Sequence, residues 1–271
     1  MHESEITVSD LIRTSVDGPI ARATLHRPDK RNALNYDLVA ALKNQLAAWA
    51  GDESVRVIVV TGDGSAFSAG ADLADLQALQ TASPLANRAD SRHLAELFQQ
   101  IYTHPKPIIA RINGHAIAGG CGLAAVCDWS IAAEEAKLGF TEVRIGFVPA
   151  IVSVFIVRKL GDAAARDLLL RGRLVSASAA ADHGLITKAV PGDELDAAVR
   201  TMAEEISTQT SGSAVDLTKQ LLAQLPGMGL QEGLDYAVQM NAFARGTDDC
   251  QAGIAAFLND DDPPWRRDAG E

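Results

Sequence analysis

The sequence predicts an α/β fold in which a parallel sheet is followed by a helical C-terminal region. Strand and helix signals alternate through the first part of the chain, whereas the last third shows helical patterns with hardly a strand. An order of strand, helix and strand produces parallel strands joined by crossover helices. We therefore expect a core over residues 1–200 and a helical region over residues 201–271.

Four apolar segments are typical strands of such a sheet. One of them, Val55–Thr61, is nearly all apolar and β-branched, which indicates a strand that is buried on both faces. A turn-like run of charged and polar residues, HRPDKRN, follows the first segment. The predicted strands are Ile20–Leu25, Val55–Thr61, Pro107–Ile112 and Trp129–Ala133.

Helical spacing of apolar residues predicts the helices. Asn35 is a typical N-cap, and an apolar stripe follows it, formed by Leu38, Leu42, Leu46 and Trp49. Ala86–Ile101 is the next predicted helix. In the second half we expect six more: Asp162–Arg171, Ser176–His183 (capped by Ser176 and ended by Gly184), Leu195–Ser207, Ala214–Leu225, Gln231–Arg245 and Asp248–Leu258.

The C-terminal helices carry an apolar stripe that a small helical segment cannot bury alone. Its residues are Leu230, Leu234, Val238 and Phe243. The stripe is therefore expected to dock on the core or on another subunit.

Composition excludes several classes of protein. The 271 residues are 47% hydrophobic and 22% charged, which is unlike a disordered chain. Lys and Arg number 24 against 35 Asp and Glu, so the net charge is −11 and nucleic acid and membrane partners are not expected.

Three cysteines cannot all pair, and the first residues do not have the pattern of a signal peptide, so we expect free thiols and a cytoplasmic location. The six histidines are scattered, which predicts no metal site.

Two segments rich in small residues each follow a buried strand. Ala66–Leu73 reads AFSAGADL, and Asn113–Asp128 reads NGHAIAGGCGLAAVCD. The first, taken alone, is most simply a strand-to-helix turn. In the second, Gly119, Gly120 and Gly122 cluster where a helix begins, and free N–H groups at a helix start can hold a phosphate or a developing oxyanion. The glycine spacing does not fit a dinucleotide fingerprint, and Ser68 does not fit the nucleophile motif of a serine hydrolase.

The third segment is Gly139–Pro149, GFTEVRIGFVP, in which Glu142 lies among apolar residues. Burial would raise its pKa into a useful range for acid/base chemistry. A solitary Glu is more often solvated or paired, and Arg144 is close enough in sequence to neutralise it. Two N–H donors with a nearby carboxylic acid suit one chemistry, the stabilisation of a thioester enolate with proton transfer at carbon.

Five motifs in order resemble those of the enoyl-CoA hydratase/isomerase (crotonase) superfamily: HRPDKRNALN, AFSAGADL, NGHAIAGGCGLAAVCD, FTEVRIGFVPA and SASAAADHGLITKAV. The resemblance implies a spiral of ββα units with a helical C-terminal region used for trimerisation, and trimers that often pair into hexamers. It implies an acyl-CoA thioester as substrate and neither a metal nor a redox cofactor.

The resemblance also assigns roles to individual residues. The oxyanion donors are the N–H groups of Ala71 and Gly119, and Glu142 is the catalytic acid/base. Lys30 or Arg31 would contact phosphate. The remaining predicted substrate contacts are Ala33, Ala69, Asp72, Leu73, Gly120 and Gly122.

The sequence departs from the best-known hydratases at Gly122, where they carry a second glutamate. A single glutamate at the position of Glu142 is also the pattern of Δ3,Δ2-enoyl-CoA isomerases. The surroundings, including PAIVS at Pro149–Ser153, are more similar to bacterial hydratases of the methylglutaconyl-CoA or isohexenylglutaconyl-CoA type. This resemblance implies a substrate with its own carboxylate, for which Arg144, Lys137 and Arg158 are candidate partners. Enoyl-CoA hydration in fatty-acid or branched-chain acyl-CoA catabolism is the first hypothesis, with Ser153 as a candidate to hold the water. The alternatives are an isomerase or decarboxylase using the same enolate, and a non-catalytic acyl-CoA-binding protein.

Overall fold

The computed structural model describes residues 6–267, and two sheets form its centre. The larger sheet has the strand order β1-β2-β3-β4-β6-β8-β11, and the smaller one has the order β10-β9-β7-β5. From β3 onwards the larger sheet is parallel. The strands are β1 (Ile6–Ser9), β2 (Ile12–Asp17), β3 (Ile20–Leu25), β4 (Val57–Gly62), β5 (Ala66–Ser68), β6 (Ile108–Ile112), β7 (His115–Ile117), β8 (Trp129–Ala133), β9 (Lys137–Gly139), β10 (Leu174–Ser176) and β11 (Lys188–Val190).

The helices cover both faces of this arrangement and continue beyond it. They are α1 (Tyr36–Ala50), α2 (Leu73–Leu79), α3 (Pro84–Tyr102), α4 (Gly119–Val126), α5 (Ala150–Arg171), α6 (Ala177–Asp182), α7 (Leu195–Gln209), α8 (Gly212–Gln224), α9 (Leu230–Ala244), α10 (Asp248–Leu258) and α11 (Pro264–Arg267).

The chain repeats a ββα unit as it winds between the two sheets. β4 lies in the larger sheet and β5 in the smaller one, and α2 and α3 follow. β6, β7 and α4 repeat this order, and β8, β9 and α5 repeat it again. This alternation confirms the predicted α/β spiral. It also places the turns that follow β5, β7 and β9 on the same small sheet, because those strands are neighbours.

The predicted N-terminal elements are confirmed. The Asn35 side chain accepts a hydrogen bond from the Leu38 N–H at 3.0 Å, so α1 has the expected cap. The stripe of α1 is buried, as are all six residues of β4. The short strands of the smaller sheet escaped prediction, because three residues are too few to show a periodic pattern.

Helix α7 crosses residue 200, where the sequence predicts a boundary. Leu195, Val199 and Ala203 pack against Val57 and Ile109 of the larger sheet. The helix is therefore part of the core, and the helices that leave the core begin at Gly212. α8 is tied back by Lys219, whose Nζ lies 2.6 Å from Asp128 Oδ2.

Helix α9 presents its apolar stripe to the outside of the single chain. Leu230 is 84% exposed and Val238 is 67% exposed, and Leu234 and Phe243 are also more than half exposed. No residue of α9 is fully buried. The core does not cover this stripe.

Within residues 6–267, no helix has both the length and the apolar character needed to cross a membrane. In the same range, no group of His, Cys, Asp and Glu side chains could hold a metal ion.

Candidate active site

Two turns that are distant in sequence meet where β5 and β7 end. Gly70 has a φ of +88°, and a Cβ atom placed on it would lie 2.7 Å from the Ile117 carbonyl oxygen and 2.9 Å from the Ala118 Cβ. Glycine alone permits both the conformation and the close approach. A Cβ atom on Gly119 would lie 3.8 Å from the Ala71 nitrogen. The two predicted oxyanion donors are thus neighbours in the structure.

The backbone N–H of Ala71 makes no hydrogen bond in the β-bridge that contains this residue. A parallel bridge joins Leu34 to Ala71, with Leu34 N–H donating to the Gly70 carbonyl at 2.7 Å and Asp72 N–H donating to the Leu34 carbonyl at 3.1 Å. The bridge therefore uses the residues on either side of Ala71. Among the described residues, none accepts a hydrogen bond from the Ala71 N–H.

The N–H of Gly119 is free for a different reason. The first hydrogen bond of α4 runs from the Gly122 N–H to the Ala118 carbonyl at 3.0 Å, so Gly119 precedes the helical ladder. Ala118 has φ +52° and ψ −124°, a conformation that costs a non-glycine residue about 1–3 kcal/mol. The strained conformation of Ala118 changes the direction of the chain between β7 and α4. The first residues of α4 therefore lie beside the turn that contains Ala71.

Glu142 begins a single helical turn, Glu142–Ile145, after β9. The residue is 8% exposed, and within residues 6–267 its Oε2 atom has no hydrogen-bond partner. Burial raises the pKa of its carboxyl group. Cys121 of α4 lies close by: burial raises the pKa of its thiol to about 12, and the Glu142 charge acts in the same direction. The carboxyl group is thus next to the helix that supplies the Gly119 donor.

Arg144 does not neutralise Glu142. A Cβ atom on Gly172 would lie 3.2 Å from Arg144 Cγ, so the Arg144 side chain runs along the turn that follows α5. No ion pair involves Glu142 among the described residues. A buried carboxyl oxygen without a hydrogen-bond partner is costly to stability, and such groups are frequent at functional sites.

The space beside position 122 is apolar. A Cβ atom on Gly122 would lie 2.4 Å from Val152 Cγ1 and 3.0 Å from Phe98 Cε2. The Ser153 hydroxyl donates to the Pro149 carbonyl at 2.5 Å within the first turn of α5. A second carboxylate is thus absent at this point of the site, and Ser153 is engaged with its own helix.

Two of the predicted substrate contacts are packing positions. A Cβ atom on Gly120 would lie 2.4 Å from the Ser68 carbonyl oxygen, and Gly122 faces Val152 as described. Both glycines are buried. The absence of a side chain at both positions lets α4 approach β5 and α5. The substrate contacts predicted for the two glycines stay predictions.

The predicted CoA contacts surround a buried ion pair that sequence analysis missed. Arg27 Nη2 lies 2.8 Å from Asp72 Oδ2, and the Arg27 hydrogen bond is the main reason that the pKa of Asp72 is lowered. Asp72 also caps α2 by accepting from the Ala74 N–H at 3.0 Å. Arg27 Nη1 donates to the Ala33 carbonyl at 2.6 Å. Both carboxylate oxygens of Asp72 are thus engaged within the protein, and its N–H and carbonyl are also hydrogen-bonded, to Leu34 and Leu76.

The other predicted contacts lie on two segments, the loop after β3 (Lys30 and Arg31) and the turn between β5 and α2 (Ala69 and Leu73). Ala69 is half-buried, and its N–H donates to the Arg31 carbonyl at 2.9 Å. Lys30, Arg31 and Leu73 are exposed. Fully buried Asn32 fixes the loop after β3 to the segment between β4 and β5. Its side-chain Nδ2 donates to the carbonyls of Asp63 and Ala66 at 2.8 Å each. Its position in HRPDKRN was the only sequence signal for this role.

A cavity of about 740 Å³ opens between α2, α3 and the turn that Glu142 begins. The sequence did not predict it, because its walls come from segments about 70 residues apart. The lining residues are Leu73, Leu76, Gln77, Gln80, Asn87, Asp90, Ser91, Ile145, Gly146 and Phe147.

The spiral of ββα units thus carries two free backbone N–H groups and one buried carboxyl group. The sequence profile of the enoyl-CoA hydratase/isomerase family matches residues 16–268. The chain belongs to this family, and its fold is the crotonase fold. It is an enzyme of the enoyl-CoA hydratase type.

Individual relatives cover almost the whole chain. A Thermus thermophilus protein named provisionally as an enoyl-CoA hydratase is 46% identical over 89% of this chain and 95% of its own length. The 2,3-dehydroadipyl-CoA hydratase of Escherichia coli is 34% identical over 90% of this chain and 93% of its own length. The crystal structure of a Mycobacterium smegmatis enoyl-CoA hydratase superposes with a TM-score of 0.89 at 29% identity, covering 95% of this chain and 99% of that one.

Proposed function

We propose that the protein adds water across the double bond of an enoyl-CoA thioester. The observation that carries this proposal is a pair of neighbouring, unoccupied N–H groups, Ala71 and Gly119, together with the buried carboxyl group of Glu142, whose Oε2 atom has no hydrogen-bond partner. The thioester carbonyl oxygen would accept both hydrogen bonds. Each such donor contributes about 3 kcal/mol when negative charge develops on the oxygen.

Glu142 serves as both base and acid in this proposal. Its carboxylate takes a proton from water while the water oxygen bonds to C3, and the π electrons move through C2 to the thioester oxygen. The enolate then collapses, and C2 takes the proton from the Glu142 carboxylic acid. The raised pKa supports both directions of transfer, because it brings the carboxyl group closer to the operating pH.

The CoA portion is proposed to bind along the loop that contains Lys30 and Arg31. Their exposed side chains are available to phosphate groups. Ala33, Ala69 and the backbone of Asp72 and Leu73 would contact the adenine and pantetheine parts. The proposed enzyme needs no metal or redox cofactor, since proton transfer and oxyanion stabilisation are supplied by its own groups.

The proposed setting is cytoplasmic acyl-CoA catabolism by a homotrimer or a dimer of trimers. The three free cysteines support the cytoplasmic location. The exposed apolar stripe of α9 supports the oligomer.

A second candidate is isomerisation of a 3-enoyl-CoA to the 2-enoyl-CoA. It is favoured by the apolar surroundings of Gly122, because a proton shuttle needs one carboxyl group and no bound water. A decarboxylase would use the same enolate. The buried Oε2 atom of Glu142, which has no hydrogen-bond partner, is evidence against a non-catalytic acyl-CoA-binding protein, since such a protein gains nothing from it.

Ultraviolet absorbance of the enoyl thioester tests these alternatives with purified protein. We expect crotonyl-CoA absorbance to fall as water adds, and Glu142→Gln to suppress the fall. Appearance of the band from a 3-enoyl-CoA, with crotonyl-CoA stable, would replace hydration by isomerisation. Tight binding of both esters with no spectral change would indicate the non-catalytic protein.

A further inference from the structure

The cavity beside the reacting groups has one apolar and one polar wall. Its volume of about 740 Å³ is in the range of small-ligand pockets. Leu73, Leu76, Ile145 and Phe147 make up the apolar wall. The polar wall is formed by Gln77, Gln80, Asn87, Asp90 and Ser91.

The cavity adjoins the position where the acyl group would react. α2 begins at Leu73, two residues after the Ala71 donor, and Ile145 ends the turn that Glu142 begins. Ala71 lines a smaller cavity together with Leu76 and Asp90, which also line the larger one, so an acyl group held at Ala71 lies next to the larger cavity.

Asp90 is the only titratable side chain among the lining residues, all of which lie in the described part of the chain, and no Lys or Arg lines the cavity. Asp90 is half-buried. Burial raises the pKa of its carboxyl group, the Asp75 charge acts in the same direction, and His93 has a smaller opposite effect. The His93 ring is also engaged elsewhere, with its Nε2 3.1 Å from the Tyr36 carbonyl oxygen.

Resting on the proposed function, we infer that Asp90 is a specificity-determining residue, which makes the cavity accept enoyl-CoA substrates with an uncharged acyl end and reject those that end in a carboxylate. A carboxylate in the cavity would face the Asp90 charge and find no cation. The polar amides and Ser91 hydroxyl remain able to bond to an uncharged polar end. The substrate class thus differs from the one in the name of the Escherichia coli relative, 2,3-dehydroadipyl-CoA, which ends in a carboxylate.

Binding of two saturated esters of equal length tests this inference without requiring turnover. Isothermal titration calorimetry with hexanoyl-CoA and adipoyl-CoA should show at least about tenfold tighter binding of hexanoyl-CoA. Asp90→Asn should lower the ratio of the two dissociation constants (adipoyl-CoA over hexanoyl-CoA) several-fold. Asp90→Glu, which retains the charge, should leave this ratio unchanged. The control Asp182→Asn removes an exposed carboxylate at the end of α6 and should leave the ratio unchanged.

A second variant adds a charge instead of removing one. Asn87→Lys places a cation on the polar wall and should increase the affinity for adipoyl-CoA more than that for hexanoyl-CoA. Equal binding of the two esters by the wild type, or a ratio that neither variant changes, would overturn the inference. Hydration of 2-hexenoyl-CoA, assayed on the same preparation, tests the proposed function separately, so that its failure leaves the binding ratio interpretable. No binding of either ester would overturn both.

Discussion

The Val152 side chain occupies the space into which a side chain at position 122 would extend, since a Cβ atom on Gly122 would lie 2.4 Å from Val152 Cγ1. Gly122 stands at the place where the best-known hydratases carry a second glutamate, and Val152 lies in the PAIVS segment. The two positions are therefore physically coupled: the small residue at 122 makes room for the larger one at 152.

Gly122→Glu alone should destabilise the protein, because overpacking a buried site costs about 1–3 kcal/mol and a buried charge adds to this. The double variant Gly122→Glu/Val152→Gly should recover part of the loss, since it removes the clash. Thermal unfolding of Gly122→Glu, of Val152→Gly and of the double variant measures the coupling. Gly51→Glu is the control, because nothing lies within 4 Å of a Cβ atom there. Simple additivity of the two single substitutions would show that the residues are not coupled.

Glu142→Gln should lower kcat by about 10²-fold or more, because it keeps the shape of the side chain and removes the proton transfer. Affinity for a saturated acyl-CoA should change little. Steady-state hydration kinetics and titration calorimetry give the two quantities. The matched control is Glu204→Gln, an exposed glutamate on α7 paired with Arg200. Near-normal turnover of Glu142→Gln would refute the assignment of the acid/base.

The same substitution should alter the pH dependence of stability. The pKa of Glu142 is raised above 4.5 in the folded protein, so the folded state binds this proton more tightly than the unfolded state. Stability from this group is then present below the unfolded pKa and is lost as the pH rises through the folded pKa. Relative to wild type, Glu142→Gln should therefore gain stability between acid and neutral pH. Urea unfolding of both proteins across that range measures the difference, and parallel curves would contradict the buried position of the carboxyl group.

Arg27→Ala should cost about 3–5 kcal/mol, because it leaves the buried carboxylate of Asp72 without its partner. The side chains of Arg27 and Asp72 are 14% and 11% exposed. KM for the CoA ester should rise, since this pair orients the loop that carries the predicted CoA contacts. Arg166→Ala breaks an exposed pair with Asp162 and should cost at most about 1 kcal/mol. Urea unfolding of the two variants is the comparison, and equal losses would rule out a special role for Arg27.

The stripe of α9 should assemble the oligomer. Burial of one large apolar side chain contributes about 1.5–3 kcal/mol, and each protomer presents four of them on this helix. Light scattering should show the molar mass of a trimer or hexamer, and Leu234→Asp should lower the measured mass towards that of smaller species. Leu170→Asp, at an exposed position on α5, is the control. A monodisperse 28.6 kDa species at micromolar concentration would contradict the prediction.

Local patterns in the sequence predicted much of the core and part of the site. The cap at Asn35, the stripe of α1 and the buried strand β4 were found because cap, periodicity and β-branching belong to adjacent residues. The two glycine-bearing turns were recognised in the same way. Arg27 and Asp90 were missed because their roles depend on partners elsewhere in the chain.

The sequence by itself determined the order of strands and helices, the glycine-bearing turns after the buried strands, and the apolar neighbourhood of Glu142. Only the tertiary structure decided that the turn at Gly70 meets Ala118, that the Oε2 atom of Glu142 has no hydrogen-bond partner, that Val152 fills the space at Gly122, and that Asp90 lines a cavity. The physical reason is distance along the chain. Caps, turns and periodic burial arise from neighbouring residues, whereas close approach, desolvation and cavity shape arise between segments that only the winding of the two sheets brings together.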